Sequence, residues 1–128
     1  MILTYHGGAC VRASAGDTTI VLGPVSKASK NFKPVNFGAD IAFVSLNHPD
    51  MNGAHEAARG DREPFVIAGP GEYEVGGISA AGFPSASSYG KTERSDLSVF
   101  INTIYSIHFD GLSVLYLGAC GETQLPKE

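Results

Sequence analysis

Chemistry-bearing side chains concentrate in the run Ser45-Leu46-Asn47-His48-Pro49-Asp50-Met51-Asn52, where an imidazole and a carboxylate stand two residues apart. Such a pair can hold a single metal ion. Alternatively, the carboxylate can orient the imidazole as a general base, a role worth roughly 10²–10⁴-fold in rate when well placed. The same residues also suit local structure, with Asp50 as N-cap of a following helix, Asn52 competing for that role, and His48 as a hydrogen-bonded turn residue. The local reading is preferred. His6 is the third candidate, because Gly7-Gly8 behind it allow close backbone approach and a pocket beside His48. Its competing use is a hydrogen bond to a loop carbonyl.

Other polar groups carry weaker signals. Glu72 and Glu74, at i and i+2, share one face of a strand and could act as an acid/base pair or bind a cation, but structural use is favoured. His55 falls on the expected helix, and His108 alternates with Ile107 and Phe109, which marks a solvated face. Gly69-Pro70-Gly71 is followed by no Gly-Lys-Ser/Thr and no helix, so it is not a phosphate loop. Cys120 has no neighbouring His in sequence and reads as a small core or loop residue.

The elements that must position these groups are mostly strands. Sixteen Gly and seven Pro in 128 residues punctuate the chain too often for long helices. Strands are expected at Ile2 to Tyr5, Cys10 to Ala15 and Thr18 to Leu22, the last rich in β-branched residues. Ile41 to Val44 and Phe65 to Ala68 are short, wholly apolar runs, the pattern of strands covered on both faces. Glu72 to Gly82 reads as an extended pair broken at Gly76-Gly77. Val99 to Phe109 and Leu112 to Leu117 meet at Asp110-Gly111, the strongest hairpin signal in the chain. Ser85 to Asp96 reads as a mobile surface loop. One helix of about two turns is expected, from Asp50 or Gly53 to Arg59.

Composition narrows the classes. A hydrophobic fraction of 43% with 17% charged residues belongs to a folded chain, and 128 residues suffice for one domain without an internal boundary, residues 1–128. A net charge of −4 argues against a nucleic-acid partner, which needs clustered Lys and Arg. No apolar run approaches the roughly 20 residues of a membrane span, and Met1 to His6 lacks the basic start of a signal peptide. Two cysteines make no disulfide framework, so a cytoplasmic location with no membrane partner is expected.

Several motifs together carry a family resemblance. They are Tyr5-His6-Gly7-Gly8, Gly23-Pro24, Ala39 to Ser45 before the His48 corner, Gly69-Pro70-Gly71-Glu72-Tyr73-Glu74, and Tyr116-Leu117-Gly118-Ala119. In this order they resemble the N-terminal half of the metallo-β-lactamase superfamily. The Pro-Gly-Glu-Tyr-Glu run resembles its compact L-ascorbate-6-phosphate lactonase-like branch. The resemblance implies an α/β fold, the N-terminal half of an αββα sandwich, β-rich with a short helix.

The same resemblance implies a His-x-His-x-Asp-His motif at the corner, holding one or two zinc ions. Zinc there takes imidazole nitrogens and carboxylate oxygens at about 2.0–2.2 Å and activates a water. Here the first His position is Leu46 and the last is Met51, while His48 and Asp50 are kept. Leu offers no donor, and a thioether suits soft copper rather than zinc. The later implied ligands are missing too: Ser79 to Ile107 contains no His, the bridging Asp position is Ala119, and the implied Asp-Pro pair reads Gly23-Pro24.

No dinuclear zinc site and no cofactor are therefore expected, with zinc possible only at a residual mononuclear site on His48 and Asp50. The preferred function is a noncatalytic binding or assembly role. The alternatives are a metal-dependent hydrolase of the lactone or phosphodiester class, with a reduced or subunit-completed site using His48, Asp50 and His6, or a piece of such an enzyme. The expected partner is a second copy of the chain or a missing C-terminal half. In either case, strands such as Val99 to Phe109 would otherwise expose a large apolar face.

Overall fold

A computed structural model describes residues 1–87, Tyr89 and residues 100–120. Two sheets make up the fold. In the first, β1 (Ile2–Tyr5), β2 (Val11–Ala15), β3 (Thr18–Leu22), β4 (Ile41–Val44) and β5 (Phe65–Ala68) lie in chain order. The β1–β2 and β2–β3 pairs are antiparallel, while β3–β4 and β4–β5 are parallel. In the second sheet, β6 (Gly71–Val75), β7 (Ile78–Ser87), β8 (Phe100–Phe109) and β9 (Leu112–Tyr116) form an antiparallel meander.

The period-2 alternation of strands explains how the layers assemble. Along β3 and β4, Ile20, Leu22, Ile41 and Phe43 point to one cluster, which they share with Ile67 of β5 and with Ile78, Tyr105, Ile107, Phe109 and Tyr116 of the second sheet. Val21 and Ala42, on the opposite face, pack with Cys10, Val25, Ala54 and Ala57. β3 and β4 are thus covered on both sides, and their apolar runs follow from that; Phe65 to Ala68, expected to be covered likewise, is the edge strand β5 and leaves Phe65 52% and Val66 42% exposed. At Asp110-Gly111 both residues adopt positive φ, 55° and 73°, the hairpin geometry that the dipeptide signals.

Three further expectations need correction. The helix from Asp50 or Gly53 to Arg59 is only a 3₁₀ turn, Ala54–Ala57, with Gly53 at its N-cap and no side-chain cap bond. Gly53 and Pro24 explain the short length: the Gly53 N–H donates to Pro24 O, and a Cβ at Gly53 would lie 2.5 Å from Ser26 backbone atoms. That contact leaves the chain no room to wind earlier. Second, Ser85 to Ser87 are not loop but the end of β7, paired with Asn102 to Phe100; 88 and 90–96 lie outside the described residues. Third, β8 does not present a bare apolar face, since Tyr105, Ile107 and Phe109 are buried against the first sheet. Ile101 of β8 is exposed, but most exposed large apolar side chains lie on the outer strands, at Ile2, Leu3, Tyr5, Phe65, Val66, Leu112 and Leu115.

Tyr105 couples the sheets. Its ring, fully buried, meets Phe43 edge-on at 5.1 Å between centroids, a geometry worth about 0.5–1.5 kcal/mol beyond area burial. Its hydroxyl donates to Val44 O at 2.8 Å and accepts from Gly69 N at 2.9 Å, so one side chain ties β8 to the ends of β4 and β5. Burial pushes the phenol up to about 12, keeping the donor protonated at any physiological pH. Tyr105→Phe leaves the Gly69 N–H and the Val44 carbonyl unpaired, and is expected to lower stability by about 1–3 kcal/mol in urea unfolding. A loss below roughly 0.5 kcal/mol, the usual scatter of neutral surface changes, would refute this coupling role.

Candidate functional site

The corner that follows β4 is held from three directions. Ser45 O accepts from Thr103 N of β8 at 2.7 Å, and Pro49 O accepts from Ser26 N at 2.8 Å. From β9, Gly118 comes so close that a Cβ there would lie 2.6 Å from Ser45 Cβ and 2.8 Å from Asn102 Oδ1, and its φ of 61° is one glycine adopts freely. Fully buried Asn102 fastens that approach: its amide donates to Leu117 O and Ser85 Oγ, and its oxygen accepts from Ala119 N.

Within the corner, Leu46 and Met51 point into the interior, 4% and 1% exposed. The Met51 thioether accepts from Ser45 Oγ at 3.5 Å. These positions present packing surface where imidazoles would be needed to hold zinc.

Asp50, whose side chain is 2% exposed, collects donors from two other segments. Ser29 Oγ donates at 2.5 Å, Tyr89 OH at 2.7 Å and Asn31 Nδ2 at 3.2 Å. Burial alone would push this carboxyl up, but the bonds from Ser29, Tyr89 and Asn31 outweigh it and hold Asp50 below its usual value. In return, Asp50 raises the Tyr89 phenol. Asp50 is therefore not a helix cap; its carboxylate faces the Ser29–Asn31 loop. Asn52 does not cap either: no side-chain bond caps the turn, and its amide donates to Asn47 Oδ1 at 2.9 Å.

His48 lies beside Asp50 but in an orientation that matters for chemistry. Its Nδ1 accepts the Asp50 backbone N–H at 3.0 Å, which assigns the neutral tautomer with the proton on Nε2. A carboxylate-oriented general base needs the reverse arrangement, with Nδ1–H donated to the carboxylate and a bare Nε2 facing substrate. The Nδ1 to Asp50 Oδ2 distance is 3.7 Å, and the imidazole packs edge-on against Tyr89 at 5.0 Å.

His6 is not part of this corner. Its ring packs on Phe37 at 4.6 Å in a shallow pocket with Cys10, Lys33 and Asn36, and burial with nearby Arg12 lowers its pKa. Cys10 in that pocket is buried, its thiol pushed up to about 11, which removes it as a nucleophile. Glu72, Glu74 and His108 share an open depression on the outer face of the second sheet, with His108 Nδ1 2.8 Å from Ser113 Oγ. In the Pro-Gly-Glu-Tyr-Glu run it is Tyr73 that closes the turn, donating to Gly69 O at 2.8 Å, while both glutamates are exposed. His55 is exposed and Cys120 half-buried. Among the described residues no three His, Cys, Asp or Glu converge as metal ligands. Among the described residues the donor set at this corner does not fit a dinuclear zinc centre.

Sequence reasoning missed Ser29, Asn31, Tyr89 and Asn102. Each lies 17 or more residues from its partner, Asp50 for the first three and Ala119 for Asn102, and no local spacing signals those contacts.

Comparison with known proteins accords with this architecture. A family model described as a beta-lactamase superfamily domain matches residues 2–128. No curated protein matches the sequence. Among solved structures, the chain is similar to a Thermotoga maritima protein described as a Zn-dependent hydrolase of the metallo-β-lactamase superfamily, at 22% identity and a TM-score of 0.64, covering 97% of this chain and 52% of that one. It is also similar to a Parabacteroides distasonis protein described as a metal-dependent hydrolase, at 16% identity and a TM-score of 0.62, covering 91% and 59%. The diiron β-hydroxylase CmlA of Streptomyces venezuelae gives 20% identity and a TM-score of 0.57, over 91% of this chain and 29% of that one. The chain thus spans between about a third and three-fifths of the length of these solved structures. Among the described residues, no helix is long and apolar enough to cross a membrane.

The Asp50 cluster generates a pH prediction. Because its folded pKa is depressed, Asp50 contributes stability that is present above its unfolded value near 3.9 and is lost as pH falls through the lower folded value. Asp50→Asn is expected to cost about 1–3 kcal/mol at pH 7, since the new amide faces three donors. It should also flatten the acid limb of the stability curve below about pH 4. Urea unfolding of both proteins from neutral pH downward measures this; an acid limb of unchanged slope in the variant would count against it.

Proposed function

The chain belongs to the metallo-β-lactamase superfamily, and on that premise we propose that it is a member without the dinuclear zinc centre, serving a noncatalytic binding or assembly role. The carrying observation is the state of the corner itself. Its two surviving polar groups use their chemistry internally: Asp50 on Ser29, Asn31 and Tyr89, and His48 Nδ1 on the Asp50 amide. The two positions where imidazoles would be required are buried Leu46 and Met51. A third position, Ala119, supplies only its backbone N–H, and that is spent on Asn102.

The finer kinship, to the L-ascorbate-6-phosphate lactonase-like branch, rests on the Pro70-Gly71-Glu72-Tyr73-Glu74 run. The competing reading is a metal-dependent hydrolase, the description given to two of the similar structures. It would need ligands or a base that His48 and Asp50 do not offer in this arrangement.

Metal analysis of the purified chain, by mass spectrometry after dialysis against zinc, decides between the two. The expected result is no stoichiometric ion and no hydrolysis of lactone or phosphodiester substrates. A stoichiometric ion that disappears in His48→Ala would replace this reading with the hydrolase.

A further inference from the structure

The His6 pocket is a separate concavity of about 180 Å³, built wholly from residues 6–37. Arg12 pairs with Val21 across β2 and β3, and Val21 packs with Cys10 and Val25 on the face of the first sheet turned away from the second. Contacts within the same stretch fix its shape. The Val35 N–H donates to Val25 O at 3.2 Å, and the Phe32 ring lies against Gly8, where a Cβ would come within 3.1 Å of it. The Phe37 ring is flanked by the His6 imidazole, 4.6 Å between centroids, and by the Arg12 guanidinium, 5.0 Å from its centroid.

The polar side chains gathered here are donors without partners. Among the described residues, no hydrogen bond or ion pair engages the side chains of His6, Arg12, Lys33 or Asn36. No carboxylate lines the pocket, and the stretch 26–37 carries Lys27, Lys30 and Lys33 but no acidic residue. Of these lysines, Lys27 alone has a counter-charge among the described residues, Glu56 at 4.0 Å. Arg12 and Lys33 are thus uncompensated cations beside one cavity, in a chain of net charge −4. Their field attracts an anion and repels a metal cation. His6, its pKa lowered by burial and by Arg12, is neutral at pH 7 and can add one N–H. The remaining lining is largely apolar, with Val25, Pro34, Val35 and Phe37. The volume falls below the roughly 300–1,000 Å³ of pockets for drug-sized ligands, which limits the occupant to one acid group on a small apolar body.

We propose that this pocket binds a small organic oxyanion, a carboxylate or a phosphate monoester, with the acid group on Lys33, Asn36 and Arg12 and the apolar part against Phe37 and Val25. Charge-assisted bonds of this kind are the strong ones, and a guanidinium matches either acid through its planar fork. The inference rests on the noncatalytic binding role proposed above and gives that role a ligand class.

Calorimetric titration of the full chain with benzoate, phenyl phosphate and neutral benzamide tests it. The expected result is a dissociation constant in about the millimolar range or tighter for at least one acid, and no measurable binding of benzamide. Benzoate alone assigns a carboxylate, phenyl phosphate alone a phosphate; either outcome, or both, supports the proposal. Lys33→Ala, at an exposed position, should weaken binding about tenfold, while Lys30→Ala on the same stretch leaves it unchanged. In the wild type, the His6 ring protons should shift on titration with the acid that binds, and those of His55 and His108 should not. Binding of neither acid overturns the proposal, including the case where residues beyond 120 occupy the pocket. So does benzamide binding as tightly as benzoate, an equal loss in Lys30→Ala and Lys33→Ala, or a His6 signal that stays fixed. None of these readouts measures metal content, so a failure here leaves the reading of the zinc corner standing.

Discussion

Everything near the candidate site depends on a phenol clamped between two sheets. Tyr105 reaches from β8 into the shared core and bonds the carbonyl that ends β4 and the amide that follows β5. Both groups lie where parallel strands finish and the chain must turn, so they would otherwise be buried polar atoms without partners. With them paired, the carbonyl of Ser45 is left to accept from Thr103, and β8 holds the corner along its length. The location of the corner is thus a property of inter-sheet packing, decided before any of its own side chains is considered.

Given that fixed frame, the chemistry at the corner follows from which groups have partners. A carboxylate is useful to a metal or a substrate only while its lone pairs are available. Asp50 has given its oxygens to two hydroxyls and an amide drawn from residues 29, 31 and 89. Cross-linking three separate segments through one buried charge is what a structural ion does, and here a side chain does it. The same logic covers Asn102, whose three bonds join β7, β8 and the turn after β9.

The sequence was a good guide wherever structure is local. Strand periodicity, β-branched runs and the Asp110-Gly111 dipeptide located eight of the nine described strands to within a residue or two, because each signal reports on the backbone that carries it; β7 instead runs on to Ser87, past the end expected at Gly82. It was a poor guide where tertiary contact overrides preference. The run Gly53 to Arg59 has helix-compatible composition, yet the approach of Ser26 to Gly53 reduces it to one 3₁₀ turn. At the site, the identities of Leu46, Met51 and Ala119 were readable as missing donors. The hydrogen-bonded turn expected of His48 matches its bond from the Asp50 N–H, whereas the use of Asp50 was not readable, because its donors lie on segments about twenty and forty residues away in the chain.

The burial of Leu46 and Met51 bears on how the corner tolerates change. An imidazole introduced at either position would enter an apolar interior with its ring nitrogens unpaired, at about 1–3 kcal/mol each, against a typical total stability of only about 5–15 kcal/mol. A metal could repay that cost only once several ligands were present together, so any one such substitution alone lowers stability. The surrounding core therefore resists a single polar ligand at either position, and a metal site built at this corner would need its ligands introduced together.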